Sequence, residues 1–203
     1  MNGRQLRVVK MGGSLLDFAA LPQAFRNWLT TQSRAQQVLI VGGGEWVESV
    51  RTAQQRFPID DAFCHELSVG LLETTAKLVA HLLNPVCGAQ FVGGWNRLQE
   101  ELGSRASAPV LVFAPHDFLT QVEPSMPAPR LPRDWRTTSD SIAARLACCL
   151  DTRELVLLKS RPRPVGDLRA LARCGFVDRT FPRGARQLRR VRFVNLRAAR
   201  WAG

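Results

Sequence analysis

The sequence predicts an α/β protein, a three-layer αβα sandwich with a mainly parallel central sheet. Three observations predict it. Short runs rich in Val, Leu and Ile alternate along the chain with stretches of helical periodicity. These runs are continuously apolar, the pattern of strands covered on both faces. Two of them end in glycine-rich turns that lead into helical segments, the strand–turn–helix unit of a parallel sheet.

Leu6–Met11 opens the series as a strand, and Asp17–Thr31 follows as a helix with apolar positions at Phe18, Leu21, Phe25, Trp28 and Leu29. Gln37–Val41 is the second strand, followed by helices over Glu45–Phe57 and Asp61–Leu83. Ala89–Val92 and Pro109–Ala114 read as strands on either side of a helix over Asn96–Leu102. The segment Pro124–Pro132 is too rich in proline for a helix or a central strand, and reads either as a linker or as a loop folded over a site. The alternation resumes with Ser139–Leu150 (helix), Glu154–Lys159 (strand), Val165–Ala172 (helix) and a strand near Val191–Leu196. No internal repeat or low-complexity tract interrupts it.

With 203 residues, 45% of them hydrophobic, the chain builds a substantial core. No apolar stretch approaches the roughly 18 to 20 residues that cross a membrane, and no secretory signal is evident, so a cytoplasmic location is expected. The five cysteines, Cys64, Cys87, Cys148, Cys149 and Cys174, show no C-x-x-C spacing and read as small buried hydrophobes in a reducing compartment, with no metal site. The net charge is +11, and from Arg161 to Arg200 the chain holds 12 arginines against two acids, Asp167 and Asp178. No helix-turn-helix, RNP-like strand or zinc spacing accompanies that charge. It therefore reads as a solvated basic face or one that attracts anionic metabolites, not as a specific nucleic-acid reader.

Only three lysines occur, and two of them, Lys10 and Lys159, follow apolar runs at the C-terminal tips of predicted strands. An ammonium on a flexible stem can follow a phosphoryl group in transit, where a guanidinium favours a static bidentate clamp. The turns Gly12-Gly13-Ser14 and Gly42-Gly43-Gly44 leave backbone N–H groups unobstructed at the starts of predicted helices, where phosphate is attracted. Neither is a Walker A loop or a dinucleotide fingerprint. Thr137-Thr138-Ser139-Asp140 opens a helix with Thr138 or Ser139 as its cap. Ala143, Ala144 and Ala147 let that helix lie close to the sheet. Asp140 would then hold both lysine ammoniums in register.

These motifs, K-x-G-G-S, G-G-G, [ST]-[ST]-D-S-x-A-A and a lysine closing the next strand, resemble the amino acid kinase superfamily over residues 6 to 160. Leu131-Pro132 and Trp135 ahead of the Asp140 helix, and Gly175, Val177, Asp178 and Phe181 after it, are similar to its compact branch. That branch contains the [5-(aminomethyl)furan-3-yl]methyl phosphate kinase of methanofuran biosynthesis. The resemblance implies one domain over 1–203 with a basic C-terminal part, 161–203, and transfer of the γ-phosphoryl group of ATP to a small phosphate or carboxylate acceptor, with Mg2+ on the nucleotide. It further implies that Lys10 and Lys159 neutralise the transferring group, that Asp140 organises them, and that Gly12, Gly13, Ser14, Gly43 and Gly44 hold phosphates. Gly42, Arg51, His65, Trp135, Thr138 and Ser139 become acceptor-side candidates. Arg51 is either a clamp for an acceptor phosphate or a solvated charge, His65 a ligand contact or a structural histidine, and Trp135 a stacking surface or an anchor for the proline loop. Asp60-Asp61 reads as a helix cap and Gly93-Gly94 as a turn or a close approach to ligand. A homo-oligomer is compatible with the family; a membrane partner is not expected. One departure stands out: Lys159-Ser160-Arg161-Pro162-Arg163 replaces the D-G loop with which many relatives continue. The rival reading is therefore a catalytically silent nucleotide- or anion-binding protein of the same fold.

Overall fold

Six strands form one sheet in the computed structural model, which describes residues 5–152 and 154–199. They are β1 (Leu6–Met11), β2 (Gln36–Val41), β3 (Ala89–Gly93), β4 (Val110–Ala114), β5 (Glu154–Lys159) and β6 (Arg190–Asn195), in the order β3-β4-β2-β1-β5-β6. Every pairing is parallel. The helices are α1 (Leu21–Thr30), α2 (Glu45–Arg56), α3 (Asp61–Cys87), α4 (Trp95–Gly103), α5 (Ser139–Cys149), α6 (Leu168–Arg173) and α7 (Phe181–Ala185). Residues 200–203 of the basic C-terminal part lie outside the described residues.

The two-residue side-chain period of a strand divides the core. Val9, Met11, Leu39, Val41, Val112, Val156 and Leu158 pack on one face against Phe25 and Trp28 of α1 and Val79 and Leu83 of α3. Val8, Ile40, Leu111, Phe113, Leu155 and Leu157 pack on the other against Ile142, Ala143, Ala144 and Ala147 of α5, Leu171 of α6 and Phe181 of α7. With both faces covered, β2, β4 and β5 carry continuous apolar runs, Val38–Val41, Val110–Ala114 and Leu155–Leu158, as the sequence predicts. β1 is interrupted by Arg7 and Lys10, and the edge strand β6 alternates. β1 lies between β2 and β5, and the connections leaving β1 and β5 cross to opposite faces. The carboxyl ends of β1 and β5 therefore flank a crevice, the usual ligand position in such sheets. At the opposite edge, Glu154 receives Arg7 Nε at 2.5 Å and Arg192 Nε at 2.6 Å, which ties β1, β5 and β6 together.

Several element boundaries differ from the sequence reading. α1 begins at Leu21, with Pro22 in its first turn, because Gly13–Leu15 form a separate 3-10 turn. α3 runs through Pro85 to Cys87 and stops where Gly88 adopts φ +65°, a left-handed cap. α6 begins at Leu168, capped by Asp167, because Gly166 at φ +133° breaks the preceding residues. α7 was not predicted; five residues containing Pro182 and Gly184 carry little helical signal. No helix among the described residues is long and apolar enough to cross a membrane.

Candidate active site

Strand register and side-chain parity bring the two lysines together. Lys10 pairs with Leu157 across β1 and β5, so Lys159 lies two residues further along on the same face of the sheet. That face is the one α5 covers, and α5 lies close because Ala143, Ala144 and Ala147 are wholly buried against it. Its first turn delivers Asp140 between the lysines. Lys10 Nζ lies 2.8 Å from Asp140 Oδ1 and Lys159 Nζ 2.8 Å from Oδ2. Lys159 also donates to the Phe176 carbonyl at 2.8 Å.

All three groups are removed from bulk water, Lys10 at 5% and Asp140 at 4% exposure. Burial raises the Asp140 carboxyl, but the neighbouring Lys10 and Lys159 ammoniums outweigh it and hold the pKa below the usual carboxylate range. For Lys159, burial and then the Lys10 charge lower the pKa to about 8, against the opposing pull of Asp140. The cluster thus has two ammoniums and one carboxylate at neutral pH, an excess of positive charge at the floor of the crevice.

The glycine turns enclose the same point. Gly12 N–H donates to Leu158 O at 2.8 Å and Gly42 N–H to Met11 O at 2.8 Å, extending the sheet ladder. The Gly12 N–H is therefore not a free phosphate donor, contrary to the sequence reading. Among the described residues, the N–H groups of Gly13, Gly43 and Gly44 have no hydrogen-bond partner. Positive φ falls on Gly44, at +58°, not on Gly43. A Cβ added to Gly13 would sit 2.1 Å from Gly44 N, so the two turns touch backbone to backbone. Ser14 Oγ meets Ser160 Oγ at 2.8 Å, linking the first turn to the end of β5.

Asp178 holds the start of α5. It accepts from Thr138 N and Thr138 Oγ1 at 2.9 Å, from Ser141 N at 2.9 Å and from Ser141 Oγ. It also accepts from Thr180 N and Phe181 N, at 3.0 and 2.8 Å, and so ties α7 to α5. Burial and the Asp140 charge raise its pKa against the hydrogen bonds from Ser141 and Thr138. The sequence reading did not place Asp178 in the site. The available signals were its place in the Gly175, Val177, Asp178, Phe181 string and its isolation, as one of two acids among 12 arginines. Thr138, not Ser139, is the N-cap residue of α5.

An open cleft of about 700 Å³ extends from Lys159 and Asp140 along Thr138, Asp178, Trp135 and Arg51. Trp135 donates from Nε1 to Gln54 Oε1 at 2.5 Å and stacks beneath the Arg51 guanidinium at 4.4 Å, which fastens the proline loop to α2. Arg145 and Glu123 fasten the loop's other end: Arg145 donates to Glu123 at 3.1 Å and to Pro127 O at 2.7 Å. His65 does not line this cleft. It faces a separate chamber of about 260 Å³ with His116, Glu66 and Leu131, where burial lowers its pKa. Asp60 caps α3 through Phe63 N, and Gly94 turns the chain into α4, whose first N–H is capped by Asp117.

No family model matches the sequence. Among curated proteins it is similar to the [5-(aminomethyl)furan-3-yl]methyl phosphate kinase of Methanocaldococcus jannaschii. The two are 22% identical over 153 residues, which is 75% of this chain and 64%, less than two thirds, of that protein. Among solved structures, the UMP kinase from Ureaplasma parvum superposes with a TM-score of 0.65 at 12% identity, covering 98% of this chain and 92% of that one. The UMP kinase from Bacillus anthracis gives 0.62 at 11%, covering 96% and 88%. The aspartate kinase from Synechocystis gives 0.61 at 19%, covering 93% of this chain and 38% of that one. With a six-stranded parallel sheet flanked by helices and superpositions of this extent, the chain has the fold of the amino acid kinase superfamily.

Proposed function

We propose that this chain is a small-molecule kinase that transfers the γ-phosphoryl group of ATP to an acceptor bearing a phosphate or a carboxylate. The observation that carries the proposal is the placement of Lys10 and Lys159, both 2.8 Å from Asp140, with Asp140 and Lys159 lining the cleft. Phosphoryl transfer asks a protein mainly for positioning and charge stabilisation. In this reading an acceptor oxygen attacks the γ-phosphorus as the bond to the ADP oxygen breaks, and ADP leaves with the electron pair. Lys10 and Lys159 neutralise the oxygens of the group in transit. Asp140 acts on them as a positioning residue and does not touch the phosphoryl group. The free N–H groups of Gly13, Gly43 and Gly44 suit its phosphate oxygens.

Mg2+ would supply charge neutralisation on the nucleotide phosphates. Asp140 and Asp178 are committed to the lysines and to backbone donors, and among the described residues no three acids, imidazoles or thiols converge. The ion would accordingly be held by nucleotide and water. Arg51 and Thr138 line the cleft and are the candidates for an anionic acceptor. The 22% identical relative supports a phosphomonoester there, in the finest form an aminomethylfuran phosphate of a methanofuran-type C1 cofactor pathway. A second reading, a silent nucleotide- or anion-binding protein, is favoured by the Arg161–Pro164 loop. There Arg161 turns back to Gly175 O and over the Phe176 ring.

ADP release with Mg-ATP, measured across phosphorylated and carboxylated acceptors, separates the readings. Acceptor-stimulated release is the expected result. Nucleotide binding without release under any acceptor supports the silent protein, and no Mg-ATP binding at all overturns both.

A further inference from the structure

The C-terminal part carries a second feature, apart from the lysine cluster. Arg169 and Arg173 on α6, Arg179 in the link to α7, Arg183 on α7 and Arg186 just beyond it line an open depression of about 570 Å³ with Ala172 and Pro182. Several arginines elsewhere are paired with acids: Arg7 and Arg192 with Glu154, Arg97 with Glu101, Arg136 with Asp134, Arg145 with Glu123, and Arg197 with Asp17. Others, such as Arg26, Arg34 and Arg56, stand singly among the described residues; the depression differs in gathering five around one concavity. Among the described residues, none of the five in the depression makes an ion pair or a side-chain hydrogen bond. Asp167, which feels Arg173 and Arg169, is engaged in capping α6, and Asp178 is engaged by α5 and α7.

Arg169 and Arg173 are four residues apart on one helix, where like charges repel. Five uncompensated guanidiniums around one concavity cost the free protein stability, and a multiply charged anion would remove that cost. Guanidinium forks match phosphate oxygens in pairs. We infer that this depression binds an oligophosphate, a chain of at least three linked phosphates. The chain comes either from free polyphosphate or from the tail of a nucleotide. Ala172, Arg173 and Arg179 also line the cleft of Lys159 and Asp140, so the bound chain lies beside the candidate active site.

Calorimetric titration with tripolyphosphate and with ATP, at about 0.15 M salt, tests this on three proteins: the wild type, R183Q/R186Q and Lys10→Met. Arg183 and Arg186 are exposed and line the depression but not the cleft. Tripolyphosphate affinity is expected to fall about tenfold or more in R183Q/R186Q and to persist in Lys10→Met. The melting temperature of ligand-free R183Q/R186Q is expected to hold or rise, as repulsion is relieved. A parallel loss of ATP affinity in R183Q/R186Q assigns the nucleotide tail as the source, and retained ATP affinity assigns free oligophosphate. Unchanged tripolyphosphate affinity in R183Q/R186Q overturns the site. So does loss in Lys10→Met alone, or a short single-stranded RNA that binds the same arginines more tightly than tripolyphosphate. The readout is binding, so absence of turnover bears on the kinase reading alone.

Discussion

Asp140 is the counter-charge for two buried ammoniums, and its removal leaves both uncompensated. Breaking a buried ion pair of this kind typically costs about 3–5 kcal/mol. Asp140→Asn is therefore expected to lower the urea midpoint strongly, and an unchanged midpoint would show that the lysines are not held by it. Because the Asp140 pKa is depressed, its contribution is present above the ordinary carboxylate value and is lost as pH falls through the folded value. Lys159 works in the opposite direction. Its folded pKa of about 8 lies below the ordinary 10.5, so between those values the unfolded chain binds more protons and this group makes stability rise with pH. At neutral pH its charge is held against that gradient, as a group needed in its protonated form would be. Turnover is accordingly expected to fall as pH rises through about 8. A flat profile across that range would remove the Lys159 charge from the rate-limiting step.

At the scale of elements, the site depends on two glycine turns that touch. Gly44 has φ +58° and ψ −143°, a conformation that costs a residue with a side chain about 1–3 kcal/mol, and an added Cβ would lie 2.8 Å from Gly13 O. Gly44→Ala should lower both thermal stability and Mg-ATP affinity. Equal affinity in a folded variant would take this turn out of the nucleotide site. The glycine turns were legible because glycine is the residue that permits such contact, and the ends of β1 and β5 because Lys10 and Lys159 stop apolar runs. The start of α5 was legible from its hydroxyl and acidic residues. The role of Asp178 was not, because four of its six acceptor contacts reach back 37 to 40 residues, to Thr138 and Ser141, and no local pattern announces that reach. Gly12 was misread for a related reason: whether its N–H is free depends on Leu158 in a distant strand. Asp178→Ala should loosen the starts of α5 and α7 together, with faster amide exchange at Thr138, Ser141 and Phe181. Protection unchanged at all three would leave Asp178 without this role.

Across the whole molecule, the sheet order sets which residues can meet. β1 lies between β2 and β5, so both glycine turns and both lysines reach one edge, while the Arg7–Glu154–Arg192 network closes the other. The proline loop reads from sequence as a linker or a cover. It packs onto the domain, pinned by Trp135 to Gln54 and by Glu123 to Arg145, and its Leu131 and Pro132 line the His65 chamber, not the cleft of Lys159 and Asp140. The positive charge concentrates on the side of α6 and α7 that opens onto the cleft, consistent with anionic small molecules as ligands. The most direct test of the lysine site is the rate of acceptor-dependent ADP release by Lys10→Met and Lys159→Met at a temperature where both are folded. Methionine keeps the stem while removing the charge. A fall of about 10² to 10³ in turnover in each is predicted, as for loss of one preorganised contact to a transition state. Near wild-type turnover in both would contradict the account.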